Sequence, residues 1–136
     1  MRRLFRALRA DQRGAAAIEF AIIGPLLFTL LLAIVEMGRM FYVRESLEYA
    51  TEQGARYYMV NPSATQSAVT TTLQSAMAGG MGPSISVAYN DTTSCNGNVA
   101  VTCTTITATY AFVSVVSFLN LGNPVLRATA QAVRVQ

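Results

Sequence analysis

The sequence predicts an α+β protein: one long N-terminal helix that crosses a membrane and continues into a small extracytoplasmic domain with a short antiparallel sheet. Three observations carry this. Phe20 to Val35 runs without a charge. Apolar residues then recur at three-four spacing from Met40 to Tyr57. After Pro62 the composition turns to Ser, Thr, Ala and Gly, interrupted by β-prone runs.

Residues 1–14 form a basic leader. Arg2, Arg3, Arg6, Arg9 and Arg13 stand against Asp11, a sum of +4, whereas residues 15–136 carry five arginines and six acids, a sum of −1. The overall +3 therefore belongs to the N-terminus. A nucleic-acid binder keeps its basic stripe on the folded domain, and here the basic block directly precedes an apolar run, so no nucleic-acid partner is expected. Residues 15–36 are read as a transmembrane helix, since Ala15 to Val35 is 21 residues, about 30 Å of helix. The arginines before it place the N-terminus in the cytoplasm and the C-terminal domain outside. A cleaved secretory signal would need small residues after the apolar run. The chain instead enters Glu36-Met37-Gly38-Arg39-Met40-Phe41-Tyr42, which argues against that reading and against a twin-arginine signal built on Arg2-Arg3.

Residues 37–60 are expected to extend the same helix outside the membrane. Met40, Val43, Leu47, Ala50, Gly54 and Tyr57 fall on one face. Arg44–Glu48 and Glu52–Arg56 attract at i,i+4, while Glu48–Glu52 repels. The stripe has two readings: packing on the chain's own domain, or packing on neighbouring copies. Pro62 holds Asn61 out of the helical region and ends the helix, giving a helix over 15–60 of roughly 65–70 Å. Pro25 deprives the Ala21 carbonyl of its donor and predicts a kink.

Residues 61–136 form the small β-rich domain. Val69, Leu73, Ala76 and Met77 suit a second helix, stopped by Gly79-Gly80. Ile85, Val87 and Tyr89 alternate like a strand, residues 91–98 are turn-rich, and Val99 to Val113 is β-prone. Gly122-Asn123-Pro124 breaks the chain before a last strand, Val125 to Val135. The apolar run 112–121 reads equally as a buried strand, a short helix or an exposed contact patch. It is too short and serine-rich for a second span.

Chemistry is sparse. The chain has no histidine, the commonest general base and metal ligand, and Asp91 is the only acid after residue 60. No enzyme, metal or cofactor site is read from this. Cys95 and Cys103 fit neither a redox pair nor a zinc knuckle. Outside the cytoplasm they are expected to form a disulfide across Asn96-Gly97-Asn98. Two free thiols are the alternative.

The informative stretch is Gly14-Ala15-Ala16-Ala17-Ile18-Glu19-Phe20. A carboxylate in a spanning segment costs up to about 2.5–3.5 kcal/mol at mid-membrane and less near the interface, so it wants a partner. Taken alone, Glu19 snorkels to headgroups or pairs with Arg13. The stretch resembles the processing site of type IV prepilins, and most closely the TadE/TadF-like pseudopilins of the tight adherence (Flp pilus) system. Gly14 stands at that family's glycine before the cut, Ala15 would be the first mature residue, Glu19 its fifth, and Phe20 the following aromatic. Pro25 and Glu36-Met37-Gly38-Arg39 resemble the family's proline and exit motif, the latter leaning toward TadE. Ala15 replaces the methylated phenylalanine of ordinary type IV pilins. The resemblance implies a pilin-like fold, leader removal by a prepilin peptidase, other pilins or pseudopilins as partners, the bacterial inner membrane as location, and a role in assembling a pilus for adhesion and secretion. The rival function is a single-pass anchored binding protein or adhesin that never enters a pilus.

Overall fold

A computed structural model of the chain describes residues 13–92, 95, 101–116 and 122–135. It divides between Met37 and Gly38 into two compact units. One helix, α1 (Arg13–Val60), runs through both.

In the first unit α1 has no polar face. Ile18, Phe20, Ile22, Ile23, Leu26 and Phe28 are all exposed. A helix that is apolar all round has no stable place in water, and this is the one helix among the described residues long and apolar enough to cross a membrane. Pro25 lies inside it, and the Thr29 hydroxyl donates to the Pro25 carbonyl at 2.7 Å.

The second unit takes α1 from Gly38 onward, then α2 (Gln66–Ala76), two single 3-10 turns (Ala78–Gly80 and Gly82–Ser84) and three strands, β1 (Ile85–Thr92), β2 (Val101–Ala111) and β3 (Val125–Val135). The sheet is antiparallel in the order β1-β2-β3, so the central strand β2 pairs on both sides. Its register sets Tyr89 opposite Ile106, and Ile106 opposite Ala130. Strand alternation sends Ile85, Ile106, Ala108, Ala128 and Ala132 into the core, where they join Val43, Leu47, Ala50, Tyr58, Val69 and Leu73 from the helices. The small residues of β3 and Gly54 of α1 let backbones approach closely. A Cβ on Gly54 would lie 3.3 Å from Leu73 Cδ1.

Each joint has a local cause. α1 ends where the Asn61 amide and side chain both donate to the Tyr57 carbonyl, at 3.1 and 3.0 Å, just before Pro62. α2 starts at Thr65, whose hydroxyl accepts from the Ala68 amide at 3.3 Å, an N-cap. Its other end is held to α1 by Ser46, whose hydroxyl accepts from the Ala78 amide at 2.9 Å and donates to Met77 Sδ at 3.4 Å. Gly79 and Gly80 adopt φ of 68° and 70°, the left-handed backbone that glycine tolerates.

The α+β architecture and the stop at Asn61-Pro62 agree with the sequence reading; several boundaries do not. Tyr57 is not part of the buried stripe; Tyr58 is, at 5 % exposure, because the buried face is centred on Gly54 and Ala55 and the next turn brings residue 58 under it. The stripe packs on the chain's own domain. α2 ends at Ala76 and the chain turns extended at Met77, before the two glycines. β1 continues past Tyr89 to Thr92, because the Thr104 hydroxyl donates to Asp91 Oδ1 at 2.5 Å across the strand pair. β2 ends at Ala111, two residues short of the expected end. In the run 112–121 the described part, 112–116, is neither strand nor helix; Phe112 is fully buried while Val113 and Val115 are exposed. Residues 117–121, the leader up to residue 12, and the turn 96–98 lie outside the described residues.

Candidate functional site

The first unit gathers most of the residues that the sequence singled out. Gly14, Ala15, Glu19, Phe20 and Pro25 all lie on α1. Ala15 and Glu19 are one helical turn apart and share a face. Glu19 is exposed, and no ion pair within the described residues engages it. Phe20 folds back along the helix onto Gly24: a Cβ at Gly24 would sit 3.5 Å from the ring. Gly14 has open space around it, so nothing in the fold itself requires glycine there.

The segment that holds these residues is also the one that known proteins share. Residues 14–56 match the family model of TadE-like proteins. Over that segment the chain is similar to TadE-like proteins. The match begins at Gly14 and takes in Glu19, Phe20, Pro25 and the Glu36–Arg39 exit. No curated protein and no solved structure matches the chain. TadE-like proteins are what residues 14–56 are similar to, and the apolar run of α1, the one helix among the described residues long and apolar enough to cross a membrane, lies in that matched segment.

The TadE-like segment reaches into the second unit, where sequence reasoning missed two arginine clamps. Arg39, read only as the last letter of the exit motif, stacks its guanidinium over the Phe112 ring at 4.2 Å and donates to the Val113 carbonyl. Arg134, not singled out at all, stacks over Tyr58 at 4.3 Å and donates to the Pro62 carbonyl. A planar guanidinium suits both tasks, cation–π stacking and fixed donors, where an ammonium would manage only one. The clamps fasten the exit from β2 to the start of the domain's helix and the end of β3 to its finish. Nothing in the local sequence set these two apart from the other three arginines after residue 14, Arg44, Arg56 and Arg127. Glu36, in the first unit, is 2 % exposed and hydrogen-bonded or paired.

Cys95 and Cys103 are brought together in a disulfide with Cα atoms 5.5 Å apart, and the Cys95 amide donates to the Val101 carbonyl at 3.3 Å. Their loop is closed at the open end of the β1–β2 pair. A groove of ≈ 360 Å³ lies between α1 and the end of α2, lined by Tyr42, Glu45, Ser46, Tyr49, Ala76 and Ala78. Arg44 and Glu48 pair at 2.9 Å, and Arg56 and Glu52 at 3.9 Å, both in solvent, where such pairs contribute about 0.3–0.5 kcal/mol. Each arginine thus takes one member of the repelling Glu48–Glu52 pair.

Proposed function

We propose that this protein is a minor pilin or pseudopilin that works in assembly of a Flp-type pilus, with residues 1–14 as a leader that a prepilin peptidase removes between Gly14 and Ala15. One observation supports the reading most: Glu19, exposed and without an ion-pair partner among the described residues, stands one turn after Ala15 in a segment whose TadE-like match starts at residue 14. Hydrolysis of the Gly14–Ala15 bond leaves a carboxylate on the leader and an amine on Ala15. That amine has an ordinary pKa near 7.7–8.0 and is mostly protonated at neutral pH. Its charge, and the positive end of the new helix terminus, both attract the Glu19 carboxylate. In a stack of subunits the carboxylate reaches a neighbour's amine instead of its own. Since no amine exists before the cut, assembly then depends on processing. In this reading the uncut N-terminus faces the cytoplasm, and residues 38–136 lie outside the inner membrane.

N-terminal sequencing of membrane-extracted protein, from cells that carry the tight adherence peptidase, is expected to begin at Ala15. Gly14→Val blocks the cut by placing a branched side chain where the peptidase needs unobstructed backbone. Glu19→Gln, which keeps size and loses charge, leaves cutting intact and abolishes recovery of the subunit with partner pilins. An intact leader on the wild type makes the protein an anchored binding protein or adhesin instead. Normal assembly of Glu19→Gln removes Glu19 from the mechanism.

A further inference from the structure

We infer that the groove between α1 and the end of α2 receives Arg127 from a second copy of this chain, standing beside the first with its second unit parallel. The contact needs neither the Gly14–Ala15 cut nor Glu19, so it stands or falls apart from the pilus reading.

Both halves of the contact lie in the second unit, Gly38–Gln136. Its charged side chains are nearly all engaged. Arg44 holds Glu48 and Arg56 holds Glu52, Asp91 takes the Thr104 hydroxyl, and Arg39 and Arg134 stack on Phe112 and Tyr58. Glu45 and Arg127 are exposed, opposite in sign, and engage no partner among the described residues.

Glu45 lines the groove together with Tyr42 and Tyr49. These tyrosines are two helical turns apart and share a face, and both are more than half exposed. The Ser46 hydroxyl in the same lining is already used by Ala78 and Met77, which leaves Glu45 as the groove's unmatched group. Two aromatic rings flanking a carboxylate suit a guanidinium: its plane stacks on a ring, its fork donates to the acid, and its methylene stem lies along apolar wall. The chain's own Arg127 does not reach. On β3, Ala128 and Ala132 face the core that α1 covers, so Arg127 alternates onto the far side of the sheet, with exposed Val125 beside it on that face.

The two clamps fix the levels. Near one end of the sheet Arg39 meets Phe112, whose amide donates to the Pro124 carbonyl; at the other Arg134 meets Tyr58. From residue 125 to 134 is about 30 Å of strand, and from 39 to 58 about 28 Å of helix. β3 therefore keeps pace with α1, and Arg127 lies about 7 Å from the start of β3, level with residues 43–44 of α1 and within one turn of Glu45. A second copy set alongside at the same height brings its Arg127 to the first copy's groove without sliding. That match of sign and level is why the occupant is this chain itself.

Photo-crosslinking of the full-length protein in phosphatidylcholine–phosphatidylglycerol vesicles tests the contact. p-Benzoylphenylalanine replaces Tyr49, keeping a ring in the groove. In a second preparation it replaces Thr71, exposed on α2 outside the groove, where it reads chance collisions. Expected is a two-copy adduct joining residue 49 to β3, well above the Thr71 level. Glu45→Arg or Arg127→Glu alone should lower its yield roughly tenfold, and the two together should restore it. Both side chains are exposed, so neither change disturbs the core. An adduct no stronger than that at Thr71 overturns the contact. So does an adduct to β3 that ignores both reversals, or a loss that the double reversal fails to repair.

Discussion

The two halves of α1 are both rich in apolar residues and end in opposite surroundings. In residues 14–35 the leucines and isoleucines point outward on every side: Leu26, Leu30 and Ile34 are all more than half exposed. In residues 38–60 Val43, Leu47 and Ala50 are buried to 2 % or less, and Arg44, Glu45, Glu52 and Arg56 take the solvent side. What separates the halves is the arrangement of their polar residues. A helix with charges on one side has a defined inner face and packs on its own chain. Beyond Glu19 the first half has none until Glu36, so any packing face is as good as any other and lipid is the natural solvent.

This comparison is sharpest at two leucines of one helix. Leu47→Ala opens a cavity at a site with no exposure and is expected to destabilise the domain by about 2–5 kcal/mol. Leu30→Ala should leave domain stability unchanged, because no protein packs there. Denaturant unfolding in detergent, followed by near-UV circular dichroism of the tyrosines, reads both. Equal losses from the two would mean that the first half is packed on protein after all.

The disulfide is the next largest effect. Closing an eight-residue separation limits the unfolded chain, so Cys95→Ser with Cys103→Ser is expected to cost about 2–3 kcal/mol in the domain. Thiol labelling of the oxidised native protein should find no free cysteine, and full labelling would refute the bond.

Glycines of α1 divide along the same line. Gly38 has open space where a Cβ would go, so Gly38→Ala should stabilise the helix by about 0.5–1 kcal/mol. At Gly54 the same change meets Leu73, and the gain should be smaller or reversed. Thermal melts of the two variants give the order directly; a larger gain at Gly54 would show that α2 yields easily.

The smallest effect is a pH dependence confined to the domain. Burial raises the Tyr89 pKa; the hydrogen bond with Thr70 opposes this, and Tyr58 adds to the rise. The folded state therefore favours the protonated phenol. Its contribution is complete below the unfolded tyrosine value of about 10 and is lost as pH rises through the higher folded value. Tyr89→Phe should flatten the alkaline fall in stability without touching the acid side, which a melt series from neutral to alkaline pH would show.

What could be read from the residues followed local rules. The uncharged run, the Pro62 stop, the second helix, the alternating strands and the cysteine pair each depend on spacing along the chain, which fixes helix and strand faces before any packing occurs. Glu19 was legible because a carboxylate in an apolar helix is conspicuous. The two arginine clamps were not, since Arg39 meets Phe112 and Arg134 meets Tyr58 only after distant segments fold together. Packing also decided that Tyr58 is buried instead of Tyr57, for the face of α1 is set by what covers it: α2 at Gly54, and Arg134 over residue 58. The apolar run after β2 divided for the same reason. Its composition is uniform, and only the tertiary structure could put Phe112 in the core and leave Val113 and Val115 outside, because burial depends on the partners a side chain meets and not on its own hydrophobicity.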